Sequence, residues 1–216
     1  MTATGQTVAL SVGNLVDRAR RLAEAGGRTV LGITGAPGAG KTTIASRLAA
    51  ELGPQLCVLV PMDGFHLCNA TLRAWGRRER KGAWDTFDAE GYLHLLGRLR
   101  DQTDEVVHAP DFDRDLDEPI ACAIPVARAV PLVITEGNWL LCREGPWQRV
   151  KSMLDDSWYL QVDDPTRQHR LVGRHQQHGM TEAQAVSWTA GTDQANAELV
   201  ADGRDRADLT ITVVAS

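Results

Sequence analysis

Cysteine is scarce in this chain and does not cluster. Cys57, Cys68, Cys122 and Cys142 form no C-x-x-C pair and stand at no zinc-like spacing from histidine. A zinc module and a thioredoxin-like redox motif are therefore excluded, and scattered thiols of this kind read as reduced side chains of a cytoplasmic protein. No apolar run approaches the ~20 residues of a membrane span. The N-terminus lacks the order of charged, apolar and small residues that marks a secretory signal. Positive charge is also short: 23 Lys and Arg against 28 Asp and Glu leave a formal net charge of -5, which argues against nucleic acid as a partner. Two local basic clusters, Arg77 to Lys81 and Arg167 to Arg174, are suited to smaller phosphates. Repeats, low-complexity tracts and linker-like stretches are all missing.

What is present suits an ordinary globular protein. The 216 residues are 43% hydrophobic and 24% charged, enough to bury the core of a single domain spanning 1–216. Val8, Val12, Leu15, Val16, Ala19, Leu22 and Ala23 recur at helical spacing and predict a helix over 8–25, ended by Gly26-Gly27. Short apolar runs at Arg28 to Thr34, Leu56 to Pro61, Val106-Val107, Pro131 to Thr135, Trp158 to Val162 and Leu209 to Val214 read as strands. Helices are expected at Thr42 to Leu52, around Leu93 to Leu99, over 165–178 and over 181–201. Alternating strands and helices predict an α/β fold with a mostly parallel central sheet covered on both faces. The stretch 64–90 has no regular pattern and is long for a plain connection, which points to a functional loop.

Gly35-Ala36-Pro37-Gly38-Ala39-Gly40-Lys41-Thr42 fits G-x-x-x-x-G-K-[ST] at every fixed position, between an expected strand and an expected helix. Glycines let successive backbone N–H groups turn inward onto phosphate oxygens, and the helix N-terminus adds the positive end of its dipole. In this pattern Lys41 reaches the β/γ-phosphates and the Thr42 hydroxyl faces Mg²⁺. Residues 35–42, with Thr43 beside them, therefore form the expected nucleotide site, with ATP and Mg²⁺ as the expected cofactors. Ligands of open α/β sheets lie beyond the carboxyl ends of the strands, where Asp63 and Glu136 end two apolar runs. Phosphoryl transfer needs one carboxylate on the metal side and one to accept the proton of the attacking hydroxyl. These two can fill both roles, in either assignment; the alternative for each is a turn or cap residue.

Four segments then carry a family resemblance. Val60-Pro61-Met62-Asp63-Gly64-Phe65-His66 resembles the second-strand motif of the uridine kinase, phosphoribulokinase and bacterial pantothenate kinase superfamily, and Ile134-Thr135-Glu136-Gly137-Asn138 resembles its E-G strand end. Arg80 to Asp88 is similar to a segment in which these kinases carry a proline, replaced here by Trp84. Ala109-Pro110-Asp111-Phe112-Asp113 is similar to P-x-Y-D, with Phe112 where tyrosine is common. The resemblance covers most of 28–212, and its nearest subgroup is the bacterial nucleoside/nucleotide kinase-like, or fructose transport system kinase-like, one. It implies a three-layer P-loop NTPase fold, with Asp63 as general base and Glu136 on the Mg²⁺ side. It also implies a lid helix over 165–178, from which Arg170 and Arg174 neutralise the transferring phosphoryl group, and Asn196 as an acceptor contact. Such kinases are often dimers or larger, so the resemblance is compatible with a homodimer and leaves the oligomeric state open.

His66, Arg80, Lys81 and Asp85 follow the Asp63 strand and are expected to line the acceptor side, whereas Trp188 reads as core packing. The leading reading is an ATP-dependent kinase acting on a hydroxyl of a nucleoside, a sugar or a pantothenate-like alcohol. A GTP-dependent switch would need a guanine-reading N-K-x-D motif, which the sequence lacks. A regulatory nucleotide-binding protein without turnover is the remaining alternative, and the pairing of Lys41 and Thr42 with Asp63 and Glu136 argues against it.

Overall fold

The computed structural model describes residues 7–214. The chain enters with strand β1 (Thr7–Ser11) and helix α1 (Val12–Glu24), which corrects the helix expected over 8–25. Two interactions fix the change. Thr7 to Ser11 pair in parallel with the last strand, Thr7 opposite Thr210. Ser11 then caps the helix: its hydroxyl accepts from the Asn14 N–H at 3.2 Å, and the Asn14 side chain accepts from the Ser11 N–H at 3.2 Å.

Strand β2 (Thr29–Thr34) is buried along its whole length and feeds the glycine-rich loop, after which α2 (Lys41–Leu52) begins. Strand β3 keeps only Cys57–Leu59 and runs on to a 3₁₀ turn, Met62–Phe65. The irregular stretch contains α3 (Asn69–Ala74) and a second 3₁₀ turn, Arg78–Arg80, ahead of α4 (Ala89–Arg100). Next come β4 (Val106–Asp113), β5 (Glu118–Ala127) and β6 (Leu132–Glu136). A 3₁₀ stretch, Gly145–Met153, precedes β7 (Asp156–Leu160) and α5 (Asp164–Gln177). The single helix expected over 181–201 is instead α6 (Glu182–Trp188), a π-helical turn (Thr189–Asp193) and α7 (Gln194–Asp202). Strand β8 (Leu209–Val214) closes the described chain.

Six strands form one sheet in the order β1-β8-β7-β2-β6-β3, and every neighbouring pair is parallel. All carboxyl ends therefore share one edge. Side chains alternate between two apolar layers, as strand geometry requires. Val30 and Val133 face a cluster with α4, Trp139 and Trp147, while Leu31, Ile33, Leu132 and Ile134 face α1, α2 and Trp158. This is the three-layer fold expected. The strand expected at Val106-Val107 lies outside that sheet, in an antiparallel hairpin of β4 with β5. Among the described residues no helix is long and apolar enough to cross a membrane.

Candidate active site

The glycine-rich loop closes the carboxyl end of β2 and packs against α5. Gly38 has φ 83°, and a Cβ there would lie 2.6 Å from the Arg167 carbonyl oxygen, so a side chain would push the loop and α5 apart. Lys41 is buried, and its ammonium donates to the carbonyls of Gly35 (2.9 Å) and Ala36 (3.1 Å). Burial pulls Lys41 down to about 8, partly opposed by the carboxylates of Glu136 and Asp63. Thr42 donates its hydroxyl to Glu136 Oε1 at 2.8 Å. Thr43 lies exposed in the first turn of α2.

Glu136 is the last residue of β6, opposite Ile33 of β2, and only 4% exposed. Burial raises its pKa and Asp63 raises it further, against the lowering effects of Lys41 and the Thr42 hydroxyl. Asp63 sits in the 3₁₀ turn after β3, and Arg114 from the β4–β5 turn lies 3.3 Å from its Oδ2. Gly137 lets the two carboxylate-bearing ends meet, because a Cβ there would fall 2.6 Å from Met62 Cβ. The structure thus brings Lys41, Thr42, Asp63 and Glu136 together on the floor of one cleft of about 760 Å³.

The wall of the cleft beside Gly38 is built by α5, the helix expected to serve as a lid. Asp163 caps this helix by accepting from the Thr166 N–H at 2.9 Å. Arg174 lines the cleft, whereas Arg170 donates to the Gly38 carbonyl at 3.3 Å and lies outside the lining. Arg167 is buried against Asp164 (2.7 Å) and Gln194. Asn196 lines the cleft, and so does the half-buried Trp188, which corrects its reading as core packing.

The acceptor side divides the expected residues. His66 lines the cleft; its Nδ1 lies 2.8 Å from the Asp63 carbonyl, and its ring packs at a tilt against Phe87 and Phe112, with centroids at 4.0 and 4.7 Å. Burial lowers its pKa, favouring the neutral ring. A carbonyl only accepts, so Nδ1 carries the proton and Nε2 is left as an acceptor. Lys81 lines the cleft but is engaged by Asn69 Oδ1 (2.9 Å), the Asp117 carbonyl (2.5 Å) and the Phe112 face (4.9 Å). Arg80 and Asp85 lie outside the lining and bind each other through two contacts of 2.6 and 2.5 Å. Their segment is held by its own ion pair, and the structure does not bring these two residues to the cleft lining. Arg78, from the basic cluster noted in the sequence, and Phe87 also line the cleft, together with Arg114, His175 and Asp193, which carried no sequence signal of their own.

Among the described residues no three His, Cys, Asp or Glu side chains form a metal cage. The Thr42 hydroxyl with the Glu136 and Asp63 carboxylates is nonetheless an all-oxygen set of the kind Mg²⁺ uses, since that ion takes one or two carboxylates and completes its shell with phosphates and water.

No family model matches the chain. It is 32% identical over 200 residues to a Schizosaccharomyces pombe protein named for uridine kinase, covering 88% of this chain and 85% of that one. It is 33% identical over 152 residues to an ATP-dependent kinase-like protein of Aspergillus versicolor, covering 66% of this chain and 88% of that one. A crystal structure from a Silicibacter species, named for a fructose transport system kinase, superposes with a TM-score of 0.84 at 40% identity, covering 93% of this chain and 98% of that one.

Proposed function

We propose that this chain, which belongs to the uridine kinase-like family of P-loop kinases, transfers the γ-phosphate of ATP to a hydroxyl group of a small metabolite. The observation that carries this reading is the convergence of Asp63 and Glu136 on Lys41 and Thr42 in one cleft.

The loop N–H groups and the N-terminus of α2 hold the triphosphate. Lys41 leaves the Gly35 and Ala36 carbonyls for the β/γ-phosphate oxygens, exchanging neutral acceptors for anionic ones. Asp63 takes the proton of the acceptor hydroxyl as its oxygen attacks the γ-phosphorus; the bond from that phosphorus to the β,γ-bridging oxygen breaks, and ADP leaves. Arg174 approaches from the lid to offset the charge spread over the transferring group. Thr42 and Glu136 are the residues that would hold Mg²⁺, whose charge would neutralise phosphate oxygens. His66 Nε2 accepts a donor group of the acceptor molecule, and Asn196 contacts it from α7.

A nucleoside, a sugar and a pantothenate-like alcohol are the acceptor classes to test. ADP release is measured with ATP or GTP across such a panel, for the wild type and for Asp63→Asn. Acceptor-dependent ADP that falls about 10²- to 10⁴-fold in the variant is expected for loss of a general base. Hydrolysis of GTP alone, or full turnover by Asp63→Asn, would sink the assignment.

A further inference from the structure

Two contacts tie the lid helix to the helical segment behind it. At the start of α5, Arg167 reaches Gln194. At its end, His175 Nε2 donates to Asp193 Oδ2 at 2.7 Å, with side chains only 13% and 9% exposed. Asp193 and Gln194 are consecutive, whereas Arg167 and His175 lie eight residues apart, roughly 12 Å along a helix. The two anchors therefore bracket the stretch of α5 that holds Arg174.

The second anchor sits on the π-turn. Asp193 is its last residue and Trp188 immediately precedes its first; i→i+5 bonding adds one residue to the turn relative to an α-helix. Both Trp188 and Asp193 line the cleft, and the Trp188 ring meets His175 edge-on with centroids 6.4 Å apart. Within this turn the Thr189 hydroxyl is buried with no hydrogen-bond partner, which costs stability. Asp193 and Lys41 line the same cleft, and the Asp193 carboxylate adds a small favourable charge effect on the Lys41 ammonium.

We infer that His175 and Asp193 are a positioning pair that holds the C-terminal end of α5 so that Arg174 meets the γ-phosphate. Neither residue touches the reacting atoms; His175 acts through Arg174, and Asp193 holds His175 besides its weaker charge effect on Lys41. The inference rests on the nucleotide reading above.

Calorimetric titration in Mg²⁺ with ADP and with a non-hydrolysable ATP analogue tests it, because only the analogue presents a γ-phosphate to Arg174. His175→Ala is expected to weaken the analogue at least about tenfold, the effect of losing one charge-assisted contact, with ADP affinity within about threefold. His175→Gln, whose amide can still donate to Asp193, is expected to restore the analogue to within about threefold of wild type. Adding His175→Ala to Arg174→Ala is expected to cost nothing more, since both remove the same contact. The inference is overturned if His175→Ala binds the analogue normally, if it weakens both nucleotides equally, if His175→Gln fails to restore binding, or if the two losses add. A wild-type protein that binds neither nucleotide overturns the nucleotide reading itself, and this inference with it.

Discussion

Arg114 and Asp63 face each other at 3.3 Å across the cleft, one from the β4–β5 turn and the other from the turn after β3. The pair fixes one oxygen of the proposed base while its other oxygen remains for an incoming hydroxyl. The side chains are 49% and 29% exposed, so solvent screens them and their contribution to stability is small, under about 1 kcal/mol. Arg114→Gln is therefore expected to leave the melting temperature almost unchanged while lowering kcat about tenfold, the effect of one charge-assisted contact. Thermal unfolding and steady-state kinetics on the same preparation check both halves.

Lys41 links nucleotide binding to protons. In the free protein burial holds its pKa near 8, so at pH 8.5 much of it is uncharged. A triphosphate favours the ammonium and raises the pKa, so binding at that pH takes up protons. Titration calorimetry in buffers of different ionisation enthalpy should show uptake at pH 8.5, fading as pH falls well below 8. Lys41→Met should abolish the pH 8.5 uptake.

Gly137 is the contact point between the two carboxylate-bearing strand ends. Gly137→Ala places a Cβ 2.6 Å from Met62 Cβ, an atom that rotamer changes cannot move. Overpacking of this kind costs about 1–3 kcal/mol, readable as a lower urea midpoint. Because the displaced segment holds Asp63, turnover at a temperature where the variant remains folded should also fall.

Arg80 and Asp85 separate structure from recognition. Arg80→Ala breaks their bidentate pair yet removes nothing from the cleft lining. Acceptor KM should stay within about twofold, as expected for a surface change away from the site, with a stability loss of at most about 1 kcal/mol. A KM increase of tenfold or more would return Arg80 to the acceptor wall.

The parts of the site written in local sequence were legible. Lys41 and Thr42 follow from a loop whose spacing is fixed by backbone geometry, and Asp63 and Glu136 from their position just past apolar runs. Arg114 was not legible: it sits in the turn Asp113-Arg114-Asp115-Leu116-Asp117, where charges usually point only to solvent. Strand β5 was hidden by its exposed middle and by Pro119 and Pro125; its pairing with β4 shifts register between Ala109 and Asp111. Period-two alternation was therefore broken where it would have signalled a hairpin. The start of α1 was missed because Val8 fits a helical stripe as well as a strand, and only pairing with β8 decides between them. For Arg80 and Asp85, nearness in sequence to Asp63 does not show that the two side chains bind each other.

Of the six tryptophans, only Trp188 lines the cleft, while Trp139, Trp147 and Trp158 are wholly buried. The protein therefore contains a native optical probe in the cleft wall, next to His175 of α5. Ligand-induced changes in the emission of its indoles should originate mainly from this ring, and a Trp188→Phe protein should keep the steady background while losing the response. Nucleotide binding can then be followed in stopped flow on the unlabelled enzyme with no acceptor present.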